Sequence, residues 1–128
     1  MATDSDVRDQ AYRFFVEEAP ELLQSIEDGI LTLRNNKETS VIHDIMRAAH
    51  SLKGGAASVG LEVIKDIAHR LEDIFKALFS KTVTIDRSME TLLLKAYDRI
   101  RYPLMDQIER GYFDEEYALR RALEVIEN

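Results

Sequence analysis

Ile42-His43-Asp44-Ile45-Met46-Arg47-Ala48-Ala49-His50-Ser51-Leu52-Lys53-Gly54-Gly55-Ala56-Ala57 reads as an amphipathic helix that contains two adjacent glycines. Its apolar residues recur at steps of three and four, the spacing of one helix face. They are Ile42, Ile45, Met46, Ala49 and Leu52. A glycine inside a helix costs about 1 kcal/mol relative to alanine, so a pair of them indicates a packing or functional requirement.

Helical spacing places His50, Lys53, Gly54 and Ala57 on one face of this segment. An imidazole, a cation one turn further on and a cleared surface beside them suit a histidine that accepts a phosphoryl group from a large partner. The alternative is that Gly54 or Gly55 caps the end of the helix and that His50 is an ordinary half-exposed histidine.

The composition of residues 1–128 predicts a single globular domain, with 45% hydrophobic and 32% charged residues. The net charge is −7, from 17 basic and 24 acidic residues, which argues against nucleic acid as a partner. No run approaches the ~18 apolar residues of a membrane span, so no membrane partner is expected. The chain has no cysteine, which excludes disulfides and thiolate metal sites and fits a cytoplasmic location.

Apolar spacing along the whole chain predicts five helices and no strands, over residues 5–34, 40–58, 61–80, 86–110 and 114–127. Short connections between long amphipathic helices favour antiparallel neighbours. We therefore expect an all-α fold, an antiparallel four-helix bundle core with an additional helix. The predicted core includes Phe14, Ile26, Ile45, Leu52, Leu71, Ile74 and Leu93.

Local signals predict where these helices begin and end. Asn35-Asn36 ends the first helix, and Thr39 or Ser40 is a good N-cap for the second. The segment 81–85 reads as a short connector, after which Asp86 caps the fourth helix.

The spacing of the histidines offers little to a metal ion. His43 and His50 are seven residues apart and share a helix face, so a metal pair is conceivable. Metal ligands on a helix usually sit at i and i+4, and no carboxylate completes such a site here. We therefore expect His43 to be a solvated surface residue and the domain to hold no metal.

The turn expected at Gly60 brings two polar groups to the same level. His50 lies ten residues before Gly60, and His69 lies nine residues after it. If the second and third helices form an antiparallel pair, then His50 and Lys53 face the level of His69 and Glu72.

A carboxylate at that level can accept the Nδ1–H of His50 and leave Nε2 free as the nucleophile. We therefore predict that Glu72 or His69 hydrogen-bonds to His50 or Lys53. Glu72 and Lys76 can also form an i, i+4 surface pair, and the two interpretations are compatible.

The stretch 49–56, Ala-His-Ser-Leu-Lys-Gly-Gly-Ala, followed by Gly60, resembles the signature of histidine-containing phosphotransfer (HPt) domains. It is most similar to the N-terminal domain of chemotaxis-type sensor histidine kinases. Residues 14–19 and 21–23 in the first helix, and residues 68–72 in the third, also resemble that subfamily. The resemblance extends over the whole chain.

Matched residue by residue, the resemblance implies that His50 is the phosphoacceptor. It implies that Lys53 is the charge partner of the phosphoryl group and that Gly54 provides the clearance beside it. His69 and Glu72 match the supporting histidine and glutamate of the chemotaxis subfamily.

The resemblance also implies the partners. The donor would be the catalytic domain of a histidine kinase, and the acceptor would be an aspartate in a response-regulator receiver domain. The partners would supply ATP and Mg²⁺, so the chain would be a monomeric phosphoryl carrier rather than a complete enzyme. The pattern is compatible both with a free-standing domain and with the N-terminal piece of a longer kinase, in chemotaxis, pilus motility or another phosphorelay.

Pro20 departs from a continuous first helix, and it either kinks the helix or splits it near Ala19. It lies away from the histidine and does not bear on the chemistry.

Two other classes of protein compete with this interpretation. One is a helical bundle that serves only as a scaffold or dimerisation module, in which the glycines cap a helix. The other is the dimerisation and phosphoacceptor helix pair of a kinase, in which an acidic residue follows the histidine and a proline comes soon after. Ser51 follows His50 and no proline is near, which disfavours the second.

Overall fold

The computed structural model describes residues 3–35, 38–80 and 85–127, which form five helices. In chain order these are α1 (Asp4–Leu33), α2 (Thr39–Ser58), α3 (Glu62–Ser80), α4 (Arg87–Arg110) and α5 (Glu115–Glu127). The described ranges contain no strand, which confirms the all-α prediction. Asn36 and residues 81–84 of the predicted connector lie outside the described residues. None of the five helices is both long enough and apolar enough to cross a membrane.

Helices α1 to α4 form an antiparallel bundle, and α5 packs against α3 and α4. Near the start of α1 the side-chain amide of Gln107 in α4 donates to the Tyr12 hydroxyl at 2.9 Å. Further along α1 the Tyr97 hydroxyl donates to Glu27 at 3.4 Å, so α1 and α4 run in opposite directions. Gly60, with φ of +80°, makes the tight turn between α2 and α3. The predicted four-helix core with an additional helix is confirmed.

The inward face of α1 shows that one predicted core residue is wrong. Phe14 is 66% exposed, whereas its neighbour Phe15 is buried. Phe15 and Ile26 are eleven residues apart, about three full turns, so they share a face that Phe14 misses by about a third of a turn. Ile74 of α3 is only partly buried and packs at the edge of the core. The other predicted core residues are buried, namely Ile26, Ile45, Leu52, Leu71 and Leu93.

Side-chain caps explain where some helices begin. Asp86 accepts a hydrogen bond from the backbone N–H of Met89 at 2.8 Å, so its predicted role as an N-cap is confirmed. The prediction that Thr39 or Ser40 caps α2 is wrong. Glu38 occupies the N-cap position without a side-chain cap, and both hydroxyl residues lie inside the first turn.

Pro20 does not split α1, which is one helix from Asp4 to Leu33. Of the two alternatives for this residue, a break near Ala19 is therefore wrong. Pro20 is exposed, so the backbone carbonyl that loses its helical donor lies on the solvent side of the helix.

Candidate functional site

His50 stands on the exposed face of a helix whose opposite face is packed in the core. Ala49 and Leu52 are fully buried between α1 and α3, while the side chain of His50 is 65% exposed. The packed residues hold the backbone of α2 in place, so the imidazole is presented to solvent from a rigid support.

Glu72 of α3 joins His50 to Lys53. Its Oε2 lies 3.0 Å from Nδ1 of His50, and its Oε1 accepts a hydrogen bond from Nζ of Lys53 at 2.7 Å. The antiparallel pairing of α2 and α3 across Gly60 brings these side chains together. The predicted contact between the two helices is therefore confirmed, with Glu72 as the residue that makes it.

The Glu72 carboxylate is held in its ionised form although the side chain is only 6% exposed. Burial opposes ionisation, but the hydrogen bonds from Lys53 and then His50, with their charges, outweigh it and lower the pKa of Glu72 below its ordinary value. An ionised carboxylate can only accept hydrogen bonds, so Nδ1 of His50 carries the proton. In the neutral ring with this tautomer, Nε2 has a free lone pair.

His69 does not take part in this arrangement. Its Nε2 lies 3.7 Å from Asp73 on the same helix, and both side chains are more than half exposed. His69 lies three positions before Glu72 on α3, so the two side chains differ in direction by about 60° around the helix axis and His69 is turned away from α2. Of the two residues expected opposite His50, the structure brings only Glu72 into contact, and it buries that side chain instead of placing it on the surface beside Lys76.

The two glycines of α2 have different surroundings. A Cβ built on Gly54 meets no heavy atom within 4 Å, so the surface beside His50 is open there, as the glycine pair suggested. A Cβ on Gly55 would come within 2.7 Å of the Phe15 ring. Neither glycine caps the helix, because α2 continues to Ser58, which makes the alternative role as a C-cap wrong.

His43 lies on the surface, with its ring centroid 6.3 Å from that of Phe79. Across residues 3–35, 38–80 and 85–127, no three side chains of His, Asp or Glu are grouped in a way that could hold a metal ion.

Two surfaces beside His50 were missed by the sequence reasoning. One is a shallow depression lined by His50, Met46 and Arg47, with Glu72 at its base. The other is a groove between α1 and α2, lined by exposed apolar residues of α1 and by the glycine side of α2. The groove is lined by residues that include Val7, Phe14, Ser51, Gly55 and Val59. The sequence analysis assigned Phe14 to the core, so its exposure was not expected. Arg47 stands one turn before His50 in the sequence.

An exposed histidine on a four-helix bundle, oriented by a buried carboxylate, defines a class of proteins that carry a group on the imidazole. The family model described as "Hpt domain" matches residues 10–103, so the chain belongs to the Hpt family. Members of this family are phosphoryl carriers and not catalysts.

Similar proteins include two curated chemotaxis proteins named CheA. The chain is 36% identical to that of Borreliella burgdorferi over 96 residues, which are 74% of this chain and 11% of the relative. It is 31% identical to that of Treponema pallidum over 105 residues, which are 81% of this chain and 13% of the relative. The chain thus spans only about a tenth of the length of these relatives.

A solved structure supports the same fold. The phosphorylated P1 domain of CheA3, in complex with CheY6 from R. sphaeroides, superposes with a TM-score of 0.73 at 22% identity. The match covers 93% of this chain and 98% of that one.

Proposed function

We propose that His50 accepts a phosphoryl group from the catalytic domain of a histidine kinase and passes it to an aspartate of a response-regulator receiver domain. One observation carries this proposal. The exposed imidazole has its Nδ1 bonded to an ionised carboxylate at 3.0 Å, which leaves Nε2 as a nucleophile facing solvent.

The phosphoryl transfer needs no proton movement on this chain. The lone pair of Nε2 attacks the γ-phosphorus of ATP, the P–N bond forms, and the P–O bond to the ADP leaving group breaks. Because Nδ1 keeps its proton, the phosphorylated ring is positively charged, and Glu72 stabilises that charge. In the second step a carboxylate oxygen of the receiver attacks phosphorus, and the electrons of the P–N bond return to Nε2.

The neighbouring residues support this step in different ways. Lys53, 2.7 Å from Glu72, favours the ionised form of the carboxylate that orients the ring. Gly54 leaves room for a partner to approach the phosphoryl group. No role in the transfer is proposed for His69, since its contact is with Asp73.

The partners supply what phosphoryl transfer needs beyond an acceptor. ATP and Mg²⁺ are proposed to belong to the kinase and receiver domains, because positioning and charge stabilisation there provide the catalysis. The receiver is proposed to approach over the groove between α1 and α2. The apolar side chains of Val7 and Phe14, 56% and 66% exposed, would be covered on docking. The P1 domain of CheA3, which has the same fold, has been solved in complex with CheY6, and this supports a receiver domain as the partner.

The wider setting is proposed from the relatives. Residues 1–128 are proposed to be one Hpt domain, monomeric when isolated and located in the cytoplasm. It would stand in a phosphorelay such as that of the CheA proteins, which makes chemotaxis the first process to test.

Radiolabelled ATP and the catalytic domain of a CheA-type kinase test the assignment. We expect acid-labile label on the wild-type chain, none on His50→Gln, and an undiminished amount on His43→Gln. Adding a receiver domain should remove the label from the chain. Label that survives the loss of His50 would reject the assignment, and a chain that takes no label would favour the inert helical bundle.

A further inference from the structure

Lys53, the first cationic residue after His50 in the sequence, is already bonded to Glu72. Lys53 donates to Glu72 at 2.7 Å, and its side chain is only 25% exposed. Its positive charge is therefore matched by a buried carboxylate. A phosphoryl group brings a charge of about −1.5 to −2 at neutral pH, and this needs a further positive partner.

Lys53 also lies near the nitrogen of the His50 ring that does not carry the phosphoryl group. Glu72 binds Nδ1 with one oxygen and Lys53 with the other, so Lys53 lies toward the Nδ1 edge of the imidazole. Nε2 points away from that edge. A helical side chain leans over the turn that precedes it, so Nε2 faces the turn that contains Met46 and Arg47.

Arg47 is free to meet a group attached there. Its side chain is 72% exposed, and its contact with Asp44, itself 75% exposed, is 3.8 Å long. That distance is longer than a hydrogen bond, and an exposed pair of this kind holds a side chain only weakly. Arg47 and His50 line the same depression.

The spacing of the two residues suits a direct contact. At i and i+3 their Cβ atoms are about 5–6 Å apart, which the length of an arginine side chain spans. The planar guanidinium can donate two parallel hydrogen bonds to phosphoryl oxygens, which an ammonium cannot do.

We propose that Arg47 is the residue that contacts the phosphoryl group on His50, while Lys53 serves to hold Glu72. This inference rests on the proposed function of His50. The guanidinium stabilises the dianionic phosphoryl group while it waits for a receiver, and Asp44 releases the guanidinium when the group arrives.

Other charged groups around the site set the background against which Arg47 acts. On α2 these are His43, Asp44 and Lys53, on α3 they are Glu72 and Asp73, and on α1 it is Asp28, which lines a groove that Arg47 also lines. All of them remain in an Arg47 variant, so a change on removing Arg47 reports its own charge.

A ³¹P NMR titration of the phosphorylated chain tests the contact without any partner protein. Potassium phosphoramidate supplies the phosphoryl group: Nε2 of His50 forms the new P–N bond, and ammonia leaves as the old one breaks. The signal of phosphorylated His50 is identified by its absence in His50→Gln. The ³¹P shift of this signal follows the ionisation of the phosphorylated group as the pH is changed.

We expect Arg47→Ala to move the titration midpoint upward by about 0.2–0.7 pH units, the shift that corresponds to one exposed ion pair. Arg47→Lys should recover part of that shift. Arg120→Ala is the matched control, because it removes the same charge from an exposed position on α5 and should leave the midpoint unchanged.

The possible failures are distinguishable. A wild-type chain with no His50 signal would overturn the proposed function itself. A normal His50 signal with the same midpoint in wild type and Arg47→Ala would overturn the role of Arg47 alone. Far-UV circular dichroism checks that the variants are folded, and Arg47→Gln provides a second neutral variant if Arg47→Ala is not.

Discussion

The backbone of Gly55 lies directly against the ring of Phe15, so that a Cβ on residue 55 would be 2.7 Å from Cδ1 of the phenylalanine. Phe15 is 5% exposed and fixed in the core between α1 and α2. Close approach of these two helices therefore requires a glycine at position 55. Gly54, one residue earlier, has no such neighbour and must be explained by the surface it leaves open.

This difference predicts opposite effects of alanine at the two positions. Gly54→Ala should raise the free energy of unfolding by about 0.5–1 kcal/mol, because alanine favours the helix and meets nothing. Gly55→Ala should lower it by about 1 kcal/mol, since overpacking against Phe15 costs more than the helix propensity returns. Urea unfolding of both variants checks the order, and equal stabilities would contradict it.

Gly54→Leu should slow phosphotransfer in both directions while the domain stays folded. The leucine would stand on the surface beside His50, where a partner has to approach. The rate of label transfer to a receiver measures this effect, and Gly54→Ala is the control that adds a Cβ but little bulk. Transfer by Gly54→Leu at the wild-type rate would show that the open surface has another purpose.

Glu72→Gln should slow phosphorylation of His50 by about 10-fold or more without abolishing it, because the nucleophile remains but loses the charge that fixes its tautomer. The initial rate of labelling gives the size of the effect, and ¹⁵N NMR of His50 reports which ring nitrogen carries the proton. Asp73→Asn is the matched control, one residue along the same helix and 59% exposed. An unchanged tautomer in Glu72→Gln would contradict the orienting role.

The helices and their pairing follow from the sequence because apolar periodicity is strong in every segment. The inward face of α1 was predicted wrongly at one position. Phe14 and Phe15 are equally apolar neighbours, but only Phe15 lies about three full turns from Ile26, and this spacing turns it inward. The contact between Phe15 and Gly55 depends on the packing of α1 on α2, and periodicity within one helix does not contain that contact.

Of the two α3 residues predicted to face His50, the structure places Glu72 at the site and His69 outside it. Counting from Gly60 brought His69 and Glu72 to the level of His50, but counting does not give the rotation of α3 about its axis. That rotation is set by the buried residues Ala68 and Phe75, which stand one turn before and one turn after Glu72. Because these two residues pack in the core, the side chain of Glu72 faces α2 and that of His69 faces solvent.

The anchoring role of Lys53 predicts a loss of stability when its charge is removed. Lys53→Met should lower the free energy of unfolding by about 1–3 kcal/mol, because the buried Glu72 carboxylate loses its shortest hydrogen bond. Lys76→Met, at an exposed position of α3, is the matched control and should be nearly neutral. Equal stabilities of the two variants in urea unfolding would show that Lys53 does not hold Glu72.

Acid should weaken the bundle through Glu72. Its pKa in the folded chain lies below the ordinary value of 4.5, so in this pH window the unfolded chain binds a proton more readily than the folded one. The stabilisation from the ionised carboxylate is fully present above that ordinary value, and it is lost as the pH falls through the lower pKa of the folded state. Glu72→Gln lacks this contribution, so the advantage of the wild type over the variant should shrink as the pH is lowered.

Urea unfolding at a series of pH values measures the difference between the two chains. Glu116→Gln, which removes an exposed carboxylate from α5, should show a constant difference from the wild type. A gap between wild type and Glu72→Gln that stays constant or widens in acid would mean that Glu72 is not held ionised by Lys53 and His50.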